Sequence, residues 1–235
     1  MSTETEMQEF SWDDKRVVVK LKLFELMKIF KNDELVGRLE KELDTFCKYF
    51  DPNSTSKKTV FTPDGSVYLS EWAPLRLALN SFFVCVRFDF EKYKKLAYKQ
   101  LLYVLGNNSK NMSYLVGYGN NYPKQVFHKG ASCPLSGTCD WAYKESIEGK
   151  PNPSVLFGAL VSGPDEFDNF DDNRENWKQN GVSINYNAGL VGLTLSLIQG
   201  WRKLTYALGY LFFVKLTQKN TIFLLIHSDL SLHFL

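Results

Sequence analysis

Residues 163–192 read GPDEFDNFDDNRENWKQNGVSINYNAGLVG. Six carboxylates fall within the eleven positions from Asp165 to Glu175, interleaved with Phe167 and Phe170 and followed by Trp177. Solvated loops seldom alternate acids with large aromatics in this way. Carboxylates carry the proton transfers that break a glycosidic bond, and aromatic faces stack on pyranose rings. The same oxygens also suit a solvated acidic loop or a calcium loop, so composition alone leaves three readings of the stretch.

The order of residues narrows them. Phe170, Asp172, Trp177, Ser183, Asn187 and Ala188 fall at the spacings of the second signature of glycoside hydrolase family 9, the inverting cellulases. Upstream, Ser113-Tyr114-Leu115-Val116-Gly117-Tyr118-Gly119-Asn120-Asn121-Tyr122-Pro123 is similar to that family's first signature. Further agreement lies at Phe10–Lys15, Glu71–Arg76, Tyr103–Asn108 and Pro151–Leu156. The chain thus resembles family 9 over roughly residues 7 to 200, and the animal-type branch is nearest. The resemblance implies an all-α fold: about the C-terminal half of a six-hairpin α/α barrel, a partial barrel with long loops at one end. Residues 1–200 are expected to be that half-domain and residues 201–235 an unmatched hydrophobic tail. It further implies an ancestral endo-β-1,4-glucanase reaction on cellulose, β-1,4-glucan as partner, no cofactor, calcium left open, and an extracellular setting.

The same alignment of motifs shows where the chemistry is missing. In the family the general acid is a Glu nine residues after the position of Asp172; here that position is Gly181. The general base comes from the N-terminal half, which this chain lacks. An inverting glycosidase needs both carboxyl groups, so the chain is expected to be catalytically incompetent. Glu175 is the nearest candidate substitute for the acid, six residues away in the loop. The family's His-x-Arg after the first signature is replaced by Phe127-His128-Lys129: phenylalanine cannot hydrogen bond, and lysine offers a point charge in place of arginine's planar fork. Tyr186 matches a cleft tyrosine and Asp172 the signature's aspartate, a site residue or else a loop cap. Trp12 and Trp72 match aromatics near the cleft floor, with core packing the alternative for each. Two further readings stay open: a non-catalytic glucan-binding or interaction module, and a truncated gene product without function.

Composition sets outer bounds. A 44% hydrophobic and 15% aromatic chain of 235 residues is globular. A net charge of +2 with scattered Lys and Arg supplies no field for nucleic acid. Met1–Glu9 has no basic start and apolar run, so no signal peptide is expected there. Helical periodicity predicts helices over Trp12–Phe30, Asp33–Phe50, Pro74–Val86, Phe90–Leu105, Val155–Val161 and Asn187–Gln199, with a turn or hairpin over Thr59–Leu69. Cys133 and Cys139 flank a Pro/Gly loop and can form one local bridge; Cys47 and Cys85, in apolar helical stretches, are expected to be core thiols. Apolar runs in Trp201–Leu235 are too short to span a membrane, for which ~20 residues are needed. Half a barrel leaves two edges with apolar faces in water, so an aggregating or partner-dependent chain is expected.

Overall fold

The computed structural model describes residues 9–55 and 59–205, with side chains through Gly200. Its ten elements, in chain order, are α1 (Arg16–Phe30), α2 (Asp33–Lys48), β1 (Val60–Phe61), β2 (Val67–Tyr68), α3 (Pro74–Phe88), α4 (Phe90–Val104), α5 (Lys129–Ser132), α6 (Trp141–Ser146), α7 (Trp177–Asn180) and α8 (Ile184–Thr205). The chain divides into two compact units between Gln199 and Gly200, and the first of them holds both family signatures. The hydrophobic tail assigned to residues 201–235 lies almost wholly outside the described residues.

Local chemistry accounts for the helix boundaries. Ser11 Oγ accepts the amides of Asp13 and Asp14 and forms the turn ahead of α1, which itself begins at Arg16 without a side-chain cap. α1 ends where Lys31 turns left-handed at φ 55, its amide and that of Asn32 donating back to the carbonyls of Lys28 and Met27. One residue later the Asn32 side chain accepts from the Leu35 amide and starts α2, with Asp33 and Glu34 on the positive end of the helix. Pro74 occupies the first turn of α3, where its missing N–H costs nothing. Asp89 breaks α3 from α4 in an extended conformation and caps α4 by accepting from Lys92 N.

α3 is the centre of the packing: twelve of its fifteen residues are buried. α1 meets it edge-on through Phe24 and Phe88, ring centroids 5.5 Å apart. α2 meets it through a disulfide between Cys47 and Cys85, and Phe50, two residues past the end of α2, packs against Phe82. α8 comes close because it presents glycines: a Cβ on Gly189 would lie 2.1 Å from Asn80 Oδ1, and one on Gly192 3.0 Å from the Phe83 ring. The β1–β2 hairpin turns at Gly65 and is pinned to α4 by Gln100, which accepts from Val67 N and donates to Ser66 Oγ.

Two expectations need correction. Cys47 and Cys85 are not free thiols; they are fully buried and bonded to each other, because α2 and α3 lie side by side and each turns its cysteine into the shared interface. Helical spacing places both in the core but cannot say that the two faces meet. Val155–Val161 is not a helix either: Gly158 is left-handed at φ 79, and Leu160 and Val161 pair in isolated bridges with Leu115 and Val182. A short apolar run has no periodicity to separate the two states, and here backbone partners on both sides decide for the extended one.

The buried cross-link closes a loop of sequence separation 38. In the chain-entropy picture such a bond contributes on the order of 4 kcal/mol by restricting the unfolded chain. The double substitution Cys47→Ala, Cys85→Ala is therefore expected to lower the melting temperature by on the order of 10 °C in a calorimetric scan.

Candidate active site

The loops that follow α4 and precede α8 converge on one end of the helices, and backbone hydrogen bonds stitch them there. Tyr114 N donates to the last residue of α4, Val104 O; Val116 N donates to Ala159 O and Tyr114 O accepts from Val161 N; Ser162 O accepts from Leu75 N at the start of α3. Ser162 N in turn donates to Gly181 O, and Phe127 N to Asn180 O, so that Phe127 and Gly181 sit opposite each other in a parallel bridge. Asn187 on the first turn of α8 seals the same end, accepting from Leu160 N and donating to Gly158 O. Long loops at one end of a helical layer, as expected, are thereby given fixed positions without a sheet.

Carboxylates in the acidic loop are held by donors of the protein. Asp165 accepts from the amides of Phe167 and Asn169 and from the Asn169 side chain. Asp168, buried and left-handed at φ 64, accepts from Tyr103 Oη at 2.6 Å and from Asp64 N at 2.7 Å. Burial, and then the charges at Tyr114 and Asp168, push the Tyr103 hydroxyl far above its usual range, so it remains a donor. Asp172 spends both oxygens on the backbone just after the first signature, Lys124 N at 2.7 Å and Gln125 N at 2.9 Å, while Gln125 Nε2 returns a bond to Asp172 O. This is the capping role that the sequence left open beside a site role. Among the described residues no three His, Cys, Asp or Glu side chains are grouped to hold a metal.

Two features lie beside Gly181. On one side a cavity of about 370 Å³ is lined by Phe127, His128, Lys129, Trp141, Lys144 and Glu175, with others. Its wall is built by α5 and α6, short helices in a segment where the sequence shows almost no helical period: His128 Nδ1 caps α5 by accepting from Ala131 N, and Asp140 caps α6. The Cys133–Cys139 bridge that the sequence left open is present between the two helices. Arg174, buried, donates to Ile147 O, Lys150 O and Asn152 Oδ1 and so ties the end of this wall to the acidic loop. Glu175, the candidate substitute acid, is exposed and paired with Lys144 at 3.2 Å.

On the other side is an aromatic ledge. Trp72 packs edge-on against Trp177, ring centroids 4.9 Å apart, and donates from Nε1 to Tyr186 Oη at 3.1 Å. Both tryptophans are exposed, while Tyr186 is buried beneath them. The Arg76 guanidinium lies 5.4 Å from the Tyr186 ring; Arg76 is 8% exposed and its Nε has no hydrogen-bond partner. Sequence reasoning missed Arg76 as a site residue, although an arginine inside the apolar run Leu75–Leu79 is itself a signal, since a buried cation needs a reason. Trp12 is exposed ahead of α1, and among the described residues no ring contact joins it to the ledge.

Gly181 itself has been closed over. It caps α7 at φ −59, ψ 141, and a Cβ there would lie 2.7 Å from Trp177 O and 3.2 Å from Ser162 Oγ. A side chain at this position requires the α7 carbonyl to move.

A helical layer around a buried central helix, with its loops gathered into a cleft of acids and aromatics at one end, is a partial α/α barrel. The model of the family described as Glycosyl hydrolase family 9 matches residues 1–194. Endoglucanase 10 of Oryza sativa subsp. japonica is 34% identical over 218 residues, 80% of this chain and 34% of its own. Among solved structures, the endoglucanase of the termite Nasutitermes takasagoensis superposes with a TM-score of 0.70 at 29% identity, over 84% of this chain and 43% of that one. Endoglucanase CelQ of Clostridium thermocellum, solved with cellobiose and cellotriose, gives 0.70 at 28% identity, over 92% and 35%. The chain belongs to glycosyl hydrolase family 9 and spans less than half the length of these relatives.

Asp172 holds two amides with charge-assisted bonds, so Asp172→Ala is expected to destabilise the unit by about 1–3 kcal/mol. Urea titration measures the loss, and hydrogen exchange at Lys124 and Gln125 should accelerate more than exchange in α3.

Proposed function

We propose that this chain is the C-terminal half of an endo-β-1,4-glucanase catalytic domain that binds β-1,4-glucan along its loop end and, by itself, does not cleave it. The observation that carries the reading is the pair of facts at one place: an exposed Trp72–Trp177 ledge supported by Tyr186, immediately beside a position 181 that bears no side chain. Aromatic faces bind pyranose rings by stacking and need no ionisable group to do so. Cleavage with inversion does need two, an acid on the leaving oxygen and a base on water, roughly 6.5–9.5 Å apart. Glycine supplies neither, and Glu175 is turned to Lys144.

Family membership and the oligosaccharide complexes of CelQ support a cello-oligosaccharide as the ligand. Arg76, buried with its guanidinium 5.4 Å from the Tyr186 ring, supports the base of the ledge on which a sugar would stack. Pairing of all four cysteines supports an oxidising, extracellular setting.

Isothermal titration with cellotetraose should show binding, and purified protein should release no reducing sugar from carboxymethylcellulose above a blank. Trp177→Ala and Trp72→Ala should each weaken cellotetraose by up to about tenfold, as expected when an aromatic contact worth about 0.5–1.5 kcal/mol is removed. Turnover that disappears in Glu175→Gln would overturn the non-catalytic reading; absent binding would overturn the glucan reading.

A further inference from the structure

The cavity walled by α5 and α6 is lined by rings and by polar groups most of which already have partners. Phe127, Trp141, Tyr143 and Ile147 give it apolar surface. The Cys133–Cys139 bond ties α5 to α6 and so fixes the two sides against each other. Lys144 steadies the Trp141 ring, with its ammonium 4.9 Å from the centroid and paired to Glu175 at 3.2 Å. At about 370 Å³ the cavity stands at the small end of ligand pockets, with room for a one-ring molecule rather than for a run of pyranoses.

The hydrogen-bonding inventory decides which chemistry fits. A pyranose carries hydroxyls around its whole rim and asks for donors and acceptors alike. Here the acceptors are largely spent: Asp140 Oδ1 on Tyr143 N, His128 Nδ1 on Ala131 N, and Glu175 on Lys144. Ser132 gives its hydroxyl to His128 O. What remains is rich in donors. The Lys129 ammonium has no ion-pair or hydrogen-bond partner among the described residues, and His128, with Nδ1 accepting, carries its proton on Nε2. Arg174, also in the lining, is 5% exposed and gives its hydrogen bonds to Ile147 O, Lys150 O and Asn152 Oδ1. No carboxylate lies at ion-pair distance from it among the described residues. A buried cation without an anion favours a negative ligand beside it. Phe127 and Lys129 are also the two positions at which the chain departs from the family's His-x-Arg, so this furnishing belongs to the chain itself.

We propose that this cavity is a binding site for a small aromatic carboxylic acid, its ring against Phe127 and Trp141 and its carboxylate on Lys129 Nζ and His128 Nε2, with Arg174 contributing charge and not contact. The glucan reading rests on the ledge on the other side of Gly181, and the two stand or fall separately.

The test is calorimetric titration of the 235-residue chain with 4-coumarate and with its methyl ester, which keeps the ring and loses the charge. Saturable one-to-one binding of the acid is expected, tighter than that of the ester by about tenfold or more, as a charge-assisted contact requires. Amide shifts in nitrogen-15 spectra should move within residues 127–147 and not beside Trp72 and Trp177. Lys129→Met, at an exposed position, should weaken the acid by about tenfold and leave the ester within about twofold. Trp141→Ala should weaken both by about fivefold, the loss of one ring contact. Four outcomes overturn the proposal: no binding of the acid, equal binding of acid and ester, an acid affinity untouched by Lys129→Met, or displacement of 4-coumarate by cellotetraose, which would make the cavity part of the glucan site. Cellotetraose affinity measured on the same sample without 4-coumarate shows independently whether the glucan reading holds.

Discussion

Everything in the unit is arranged to bury α3. An apolar helix with twelve of fifteen residues inside must be covered on nearly every side, and α1, α2, α4 and α8 supply that cover. The constraint reaches the loops through the first turn of α3, where Leu75 N takes the carbonyl of Ser162 and Arg76 lies against Tyr186. Core and cleft therefore share one helix: its middle sets the packing distances, Gly189 of α8 among them, and its N-terminus sets the floor of the site. A change of helix spacing that the core could absorb would be felt at the aromatic ledge.

The cleft is unusual in how its carboxylates are used. Asp165, Asp168 and Asp172 are occupied by amides and a tyrosine hydroxyl, and they act as joints between loops that have almost no regular structure of their own. Such joints are charge-assisted and stronger than neutral hydrogen bonds. They explain why a long irregular segment, from Asn107 to Asn176, keeps a defined course. Three of the loop's six carboxylates thus serve the architecture.

Helices whose ends are written in local chemistry are legible in the amino-acid string alone. Asn32 and Asp89 cap α2 and α4, Pro74 opens α3, and all three elements run within two residues of where periodicity places them. The family signatures locate the loops that form the cleft, and Phe127 and Gly181, far apart in sequence, do come together. What cannot be read depends on which faces meet. The Cys47–Cys85 bond requires α2 beside α3; the extended course of Leu160 and Val161 requires neighbours on both sides; the role of Arg76 requires the Tyr186 ring above it. Asp172 is legible as important and illegible as to why, since a carboxylate that caps two amides and one that meets substrate look alike in a string of letters.

The Cys47–Cys85 bond closes a covalent ring that contains the β1–β2 hairpin, Trp72 and most of α3. A peptide bond cut anywhere inside that ring does not release a fragment. The two pieces remain one molecule, with α2 still fastened to α3 and the ledge tryptophan still anchored through Tyr186. Surface proteolysis between residues 47 and 85 is thus invisible to the mass of the intact protein, apart from one added water, and shows only after reduction. For a protein exposed to proteases, the ring makes cleavage there a wound without a separation.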